Sequence, residues 1–203
     1  MKLNLPNKLT VLRLILVPIF VVVMMVSDAL WASIVGLVLF VGASLTDMLD
    51  GKIARKHGLV TDFGKFLDPL ADKFMVIGAQ LVILYRAMTA QTPNVLFCNL
   101  FFWAVLLVIF RELAVTSIRL VVSGSSGIVI AANMLGKIKT CTQIACVVCC
   151  IAEPLFYQNI AALNGMMKLL PLSVVTTALM LIFTLWSGIN YIASYWKYLD
   201  PEK

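Results

Sequence analysis

Apolar residues along this chain come in long runs rather than in alternation. Several runs approach 20 residues, and short polar stretches separate them. A run of that length spans about 30 Å of hydrocarbon at about 1.5 Å per helical residue. In lipid a spanning backbone must satisfy its own hydrogen bonds, so helices are the default, and no ten-residue alternation suggests a barrel. The pattern predicts six spans, at about Leu9–Val26, Leu30–Asp47, Phe66–Tyr85, Leu96–Val122, Leu135–Ile151 and Leu169–Ile192. The second helix can run past the bilayer edge into the region of Asp47. Gly36 and Gly42 in the second span, and Gly78 in the third, would permit close helix approach. The SGSSG run at 123–127 reads as a short linker, and no internal repeat is evident. The expectation is an all-α integral membrane protein of about six transmembrane helices, with residues 1–203 forming one domain.

Composition agrees. The chain is 62% hydrophobic and 13% charged, with a mean hydropathy of +1.00, far above a soluble domain. Its formal charge of +6 suits an anionic membrane surface, so membrane lipids, not nucleic acid, are the expected surroundings. Six spans put both termini on one side. That side, with the 48–65 and 123–134 loops and nearby span ends, holds 14 of the 16 basic residues; Arg86 and Lys168 hold the other. The asymmetry predicts cytoplasmic termini and a cytoplasmic 48–65 loop.

The start, MKLNLPNKLTVLRLILVPIF, has the basic opening and apolar run of a signal peptide, but no clear small-x-small cleavage site follows. A retained first helix is expected, with Leu3 and Leu5 as a short interfacial entry. Cys98, Cys141, Cys146, Cys149 and Cys150 are odd in number and lie in spans, so they read as small apolar packing residues. The C-x-x-C at Cys146 and Cys149 has no histidine nearby. His57 is the one histidine, which excludes a multi-histidine metal site; it reads as a loop residue beside basic neighbours.

Candidate chemistry concentrates in DMLDGKIARKHGLVTDFGKFLDPLADK, Asp47 to Lys73, which holds five of the ten acids. If the first half is helical, Asp47, Asp50, Gly51 and Ala54 share a face, and so do Gly64, Asp68 and Asp72 in the second half. Two carboxylate pairs on adjacent helices would then meet across a turn around Lys56–Thr61. Four convergent carboxylates near a membrane need compensation, and divalent cations supply it; all-oxygen ligands favour magnesium, manganese or calcium. Gly51, Ala54 and Gly64 clear space beside the carboxylates, and Arg55 offers a fork suited to phosphate oxygens. Metal, arginine and space together point to a diphosphate substrate. The bland alternative is a solvated loop whose charges pair with each other.

The spacing resembles the signature of the CDP-alcohol phosphotransferase family, D-x2-D-G-x2-A-R-x8-G-x3-D-x3-D, and all eight fixed positions match. PNKLTVLR near the N-terminus, FREL at 110–113 followed by Arg119, and GKIKT at 136–140 resemble the branch whose acceptor is sn-glycerol 3-phosphate. The resemblance implies a bacterial inner-membrane enzyme, a homodimer with a cytoplasm-facing active site. It would convert CDP-diacylglycerol and sn-glycerol 3-phosphate to phosphatidylglycerophosphate and CMP. It also implies that Asp47, Asp50, Asp68 and Asp72 bind Mg2+ or Mn2+, two ions in all, and that Asp72 is the general base. Gly51, Arg55 and Gly64 should border the CDP moiety. Asn7 and Thr10 resemble a polar pair near cytidine, with helix capping by Asn7 as the alternative. Arg13 either supports the same surface or snorkels.

Arg111, Glu112 and Arg119 interrupt an apolar helix, and Lys137 and Lys139 open the next span. Glu112, Thr116 and Arg119 share a face, with Glu112 placed to orient an arginine. Arg111, Arg119 and Lys137 would pair with an acceptor phosphate, with Lys139 and Thr140 as weaker candidates. Snorkelling or an internal salt-bridge network is the alternative. Arg86, Lys168, Asp28, Glu153 and Asp200 read as ordinary boundary charges. Other acceptors stay open (phosphatidylglycerol, inositol phosphate, serine), and so does a cation transporter or binding protein. The transporter explains membrane acids but not Gly51, Ala54, Arg55 and Gly64 together. A prenyltransferase would usually space its two acidic motifs farther apart.

Overall fold

The computed structural model describes residues 4–57, 61–126, 134–159 and 169–196, with side chains left aside at 49–57, 62, 65, 123–126, 158 and 159. Six helices make up the described residues: α1 (Leu5–Val26), α2 (Leu30–His57), α3 (Asp62–Thr89), α4 (Val95–Ser126), α5 (Met134–Asn159) and α6 (Pro171–Tyr195). The first five predicted spans each lie within one helix, which outruns them, while the sixth is shifted: α6 begins at Pro171, after Leu169, and ends at Tyr195, past Ile192. Four are long and apolar enough to cross a membrane: α1, α2 over Leu30–Met48, α5 over Met134–Tyr157, and α6. The other two, α3 and α4, carry the charged segments and are 28 and 32 residues long.

Polar side chains mark the starts. Asn4 Oδ1 accepts from the Asn7 amide at 3.1 Å and Thr61 Oγ1 from the Gly64 amide at 3.0 Å, which begins α1 and α3. Asn94 Oδ1 does the same for Phe97, at 3.0 Å, as α4 begins. The SGSSG linker is corrected: α4 continues through Ser126, and Gly127 lies outside the described residues.

α1 packs against α2 and α3, while α6 packs against α4 and α5. α3 touches α4 and α5, and α2 touches α5, so the two halves share one core. That core runs through Phe20, Phe40, Met75, Phe101, Val147 and Met180. Apolar residues also cover the outside, among them Ile19, Val38, Trp103, Phe110 and Ile189. Such a surface is stable only against lipid or another apolar surface. Of the glycines, Gly36 meets the expectation: a Cβ there would collide with the Met24 side chain, where α1 crosses α2. A Cβ on Gly78 would make ordinary contact with Val17, and Gly42 faces open space. Cys146 and Cys150 are buried in the core with sulfurs 3.9 Å apart, Cys98 and Cys149 are half-buried, and Cys141 is exposed, so the packing expectation does not hold there.

At one end of the bundle Asp28 is an exposed boundary charge as expected, but Arg86 and Glu153 are more than that. Arg86 Nε donates to Asp28 Oδ1 at 3.2 Å and its Nη1 to Ser33 Oγ at 3.0 Å, joining the ends of α2 and α3. Glu153 is buried. It accepts from Tyr157 Oη and Leu172 N, both at 2.8 Å, and from Ser173 N at 2.6 Å and Ser173 Oγ at 2.5 Å. α6 has no capping side chain of its own, because the residue at its N-cap, Leu170 (left-handed, φ 43°), has no polar side-chain atom to offer. Glu153 of α5 satisfies its first amides instead. Lys168 and Asp200 lie outside the described residues.

Candidate active site

At the opposite end, the first turns of α1, α3 and α5 meet the last turns of α2 and α4. Both halves of the Asp47–Asp72 signature are helical as expected: Asp47 to Arg55 lie on α2, and Gly64 to Asp72 on α3. The side chains of Asp50, Gly51, Arg55 and His57 lie outside the described residues.

One face of α1 forms a wall against the signature. Asn7 Nδ2 donates to Thr61 Oγ1 at 3.0 Å, Thr10 Oγ1 to Asp68 Oδ1 at 2.7 Å, and Arg13 Nη1 to Asp47 Oδ1 at 2.5 Å. All three α1 residues are buried, and each is three positions from the next. Capping by Asn7 is thus corrected, since Asn4 holds that place. Snorkelling by Arg13 is corrected as well: its side chain is fully buried against Asp47. Gly64 is needed where it stands. A Cβ would lie 2.9 Å from Asn7 Oδ1 and 3.3 Å from Thr61 Oγ1, and would push the α1 wall away.

Asp68 is exposed, while Asp47 and Asp72 are half-buried, with Asp47 among the charges that act on Asp72. Carboxylate oxygens throughout are the donors a hard divalent cation takes. Among the described residues no three acidic, histidine or cysteine side chains form a ready ligand group. The donor chemistry of Asp47, Asp68 and Asp72 fits such an ion.

The second wall comes from α4 and α5. Glu112 is buried and accepts from Arg111 Nη1 at 3.0 Å and from Lys139 Nζ. Glu112 does orient an arginine, and a lysine with it. The Arg111 stem lies against Gly188 of α6, 3.1 Å from where a Cβ would stand, and Arg111 Nε is buried with no protein partner among the described residues. Arg119 and Lys137 are exposed. The structure therefore gathers Arg111, Glu112 and Lys139 and leaves Arg119 and Lys137 outside that cluster. Thr116 and Thr140 turn their hydroxyls back to the carbonyls of Glu112 and Gly136.

A small cavity of about 10 Å³, room for about one water, opens among α3, α4 and α5 beside Asp72. Three helices line it, each with charged residues and, four positions away on the same face, residues deeper in the bundle: Asp72 and Lys73 with Val76 and Ile77 on α3, Glu112 with Val108 on α4, Lys139 with Gln143 on α5. The sequence reading passed over Gln143. Its signal was available: a polar residue one turn below Lys139 on the same face of an apolar helix. Thr61 and Gly188 are not legible as site residues in the sequence: the local signal at Thr61 marks only the start of α3, and its bond to Asn7, like the contact of Gly188 with Arg111, depends on the tertiary fold.

The profile of the family described as CDP-alcohol phosphatidyltransferase matches residues 3–187. A Bacillus subtilis strain 168 protein named CDP-diacylglycerol–glycerol-3-phosphate 3-phosphatidyltransferase is 40% identical over 210 residues, covering 98% of each chain. A Yersinia enterocolitica protein of the same name is 32% identical over 204 residues, covering 99% of this chain and all of that one. A Mycobacterium tuberculosis protein named probable phosphatidylglycerophosphate synthase is 35% identical over 192 residues, covering 94% of this chain and 80% of its own.

Proposed function

This chain belongs to the CDP-alcohol phosphatidyltransferase family, and from that premise we propose that it transfers the phosphatidyl group of CDP-diacylglycerol to sn-glycerol 3-phosphate. The products are phosphatidylglycerophosphate and CMP. The observation that carries this reading is the near-full-length similarity to the Bacillus protein whose name states that reaction.

The two walls divide the work. Asn7, Thr10, Gly51, Arg55 and Gly64 border the CDP end, where the missing side chain of Gly64 lets Asn7 and Thr61 close against α3. Arg111 and Lys139 hold the acceptor phosphate, and Arg111 Nε is a buried donor an anion would satisfy. Arg119 and Lys137, exposed at the rim, attract the doubly charged acceptor. Asp72 takes the proton from the primary hydroxyl as its oxygen attacks the lipid-side phosphorus. The bond from that phosphorus to the bridging oxygen breaks, and CMP carries that oxygen away. The attack is direct, so no phosphoenzyme forms. Asp47, Asp50, Asp68 and Asp72 would hold Mg2+ or Mn2+, two ions in all, which neutralise the diphosphate when bound.

The chain acts as one membrane domain over residues 1–203, with both termini and the site on the cytoplasmic side. The excess of basic residues at that end supports the orientation. A homodimer rests on the family resemblance. The test is to give purified protein CDP-diacylglycerol with glycerol 3-phosphate, phosphatidylglycerol, inositol phosphate or serine, and to identify the lipid by mass. Product from glycerol 3-phosphate alone is expected, lost on chelation and restored by magnesium or manganese. A different acceptor, or full turnover after thorough chelation, would overturn the acceptor or the metal assignment respectively.

A further inference from the structure

The floor of the cavity at the site is built from Val76, Ile77, Val108 and Gln143. Three of the four are apolar, as a floor within a membrane bundle should be. The fourth is a primary amide, 2% exposed, whose Nε2 is buried with no protein partner among the described residues. A buried N–H without an acceptor is unfavourable, and an apolar residue of the same length would fill the place without that penalty. Gln143 lies one turn below Lys139, and across the cavity from it lies Asp72.

We propose that Gln143 is a specificity-determining residue that donates its amide N–H to the secondary hydroxyl of the acceptor. The inference rests on the acceptor reading above. The attacking primary hydroxyl must reach Asp72, and the phosphate at the other end of the three-carbon chain must reach Lys139 and Arg111. The central carbon then passes over the floor, with its hydroxyl facing the apolar residues or Gln143. Of the residues one turn below the charged groups (Val76, Ile77, Val108 and Gln143) only Gln143 can hydrogen-bond it, while Lys73 stands beside Asp72 at the level of the charges. Because the secondary hydroxyl adjoins the attacking one, the same bond fixes which oxygen meets Asp72. An acceptor without that hydroxyl would leave the amide unpaired and its own carbon chain free to turn, so the site would discriminate against it.

The test compares sn-glycerol 3-phosphate with 3-hydroxypropyl phosphate, which keeps the phosphate and the primary hydroxyl and lacks the secondary one. Wild-type enzyme is expected to favour glycerol 3-phosphate by about tenfold or more in kcat/KM. Gln143→Met keeps the length and removes the donor. It should bring the two acceptors to within about threefold, by weakening glycerol 3-phosphate while leaving the CDP-diacylglycerol KM and the unfolding temperature unchanged. Retention of the wild-type preference in the Met variant would overturn the proposal. If that variant loses its fold, equal use of the two acceptors by wild-type enzyme overturns it without any substitution. Failure of the acceptor reading looks different: wild-type enzyme would make lipid from neither phosphate, and both ideas would fall together.

Discussion

Glu153 and Asp72 are both carboxylates set into helices of one bundle, at opposite ends, and they differ in what surrounds them. Glu153 is enclosed by four donors, two on each oxygen, from α5 and the start of α6. Each oxygen has its partners, so little capacity remains for a ligand. Asp72 instead lines a cavity shared with Lys139 and Glu112, beside a second carboxylate at Asp47. A charge in an apolar helix is unfavourable in both places. At Glu153 the surroundings return that cost as architecture, tying two helices together. At Asp72 the cost persists until something enters the site. Burial of an acid therefore says little about function until its partners are counted.

The strongest way to break this contrast is to neutralise each acid in turn. Asp72→Asn should lower turnover by about 10²- to 10⁴-fold, the usual range for a general base, while the unfolding temperature in detergent hardly moves. It should still bind CDP-diacylglycerol. Asp47→Asn, Asp50→Asn and Asp68→Asn should lose metal binding and activity together. CMP release and nucleotide-lipid binding, measured side by side, separate the two classes. Near-normal turnover of Asp72→Asn at neutral pH would end its assignment as base.

Glu153→Gln should do the reverse. The new amide turns an NH2 toward the Ser173 and Leu172 amides, leaving at least one buried donor without an acceptor. Stability should fall by about 2–3 kcal/mol, seen as several degrees in unfolding temperature. Turnover per folded molecule should stay near wild type, because Glu153 and Lys139 are about 21 Å apart along α5. A selective loss of turnover with unchanged stability would mean that the two ends are not independent.

The sequence told these ends apart only in part. Six helices, their order and the helical faces of the Asp47–Asp72 signature follow from apolar run length and residue spacing, which are local properties. The role of Glu153 is not local: its donors at Leu172 and Ser173 lie about twenty positions on, across residues of no regular pattern. Arg13 shows the same limit. An arginine near a span end snorkels by default, and only the crossing of α1 over α2 brings it to Asp47. The basic residues of the acceptor wall were legible as a set, but not which of them face inward. Arg119 shares a face with Glu112, yet it is exposed, and the cation that reaches Glu112 across helices is Lys139 of α5.

Within the site, the two walls should respond to different substrates. Arg111→Ala or Lys139→Ala should raise the glycerol 3-phosphate KM about tenfold or more, each loss being near one charge-assisted bond, and change the CDP-diacylglycerol KM little. Gly64→Ala should act on the other substrate. Its Cβ displaces Asn7 and Thr61, so the CDP-diacylglycerol KM should rise several-fold with the acceptor KM unchanged. Steady-state kinetics with each substrate varied separately decides this. Equal losses for both substrates in every variant would mean a general loss of structure and not two walls.

The smallest effect is expected at the far end, and it tests whether the quiet end is quiet throughout. Asp28 pairs with Arg86 at 3.2 Å, but the Asp28 side chain is 84% exposed and the Arg86 side chain 18%. An exposed carboxylate gains little from such a pair, because water competes for it and salt screens it. Arg86 also donates to Ser33 Oγ and reaches Met24 Sδ at 3.5 Å, so it keeps partners when Asp28 is neutralised. Asp28→Asn should therefore change stability by no more than about 0.5 kcal/mol and leave kcat and both KM values unchanged. Arg86→Ala should cost more, about 1–2 kcal/mol, since it strips Ser33 of a bond in a partly buried place. Thermal unfolding at low and high salt separates the two: the Asp28 effect should vanish in salt, and the Arg86 effect should persist. A large, salt-resistant loss from Asp28→Asn would show that this end holds a second buried charge network like the one around Glu153, with the exposed carboxylate as a true part of it.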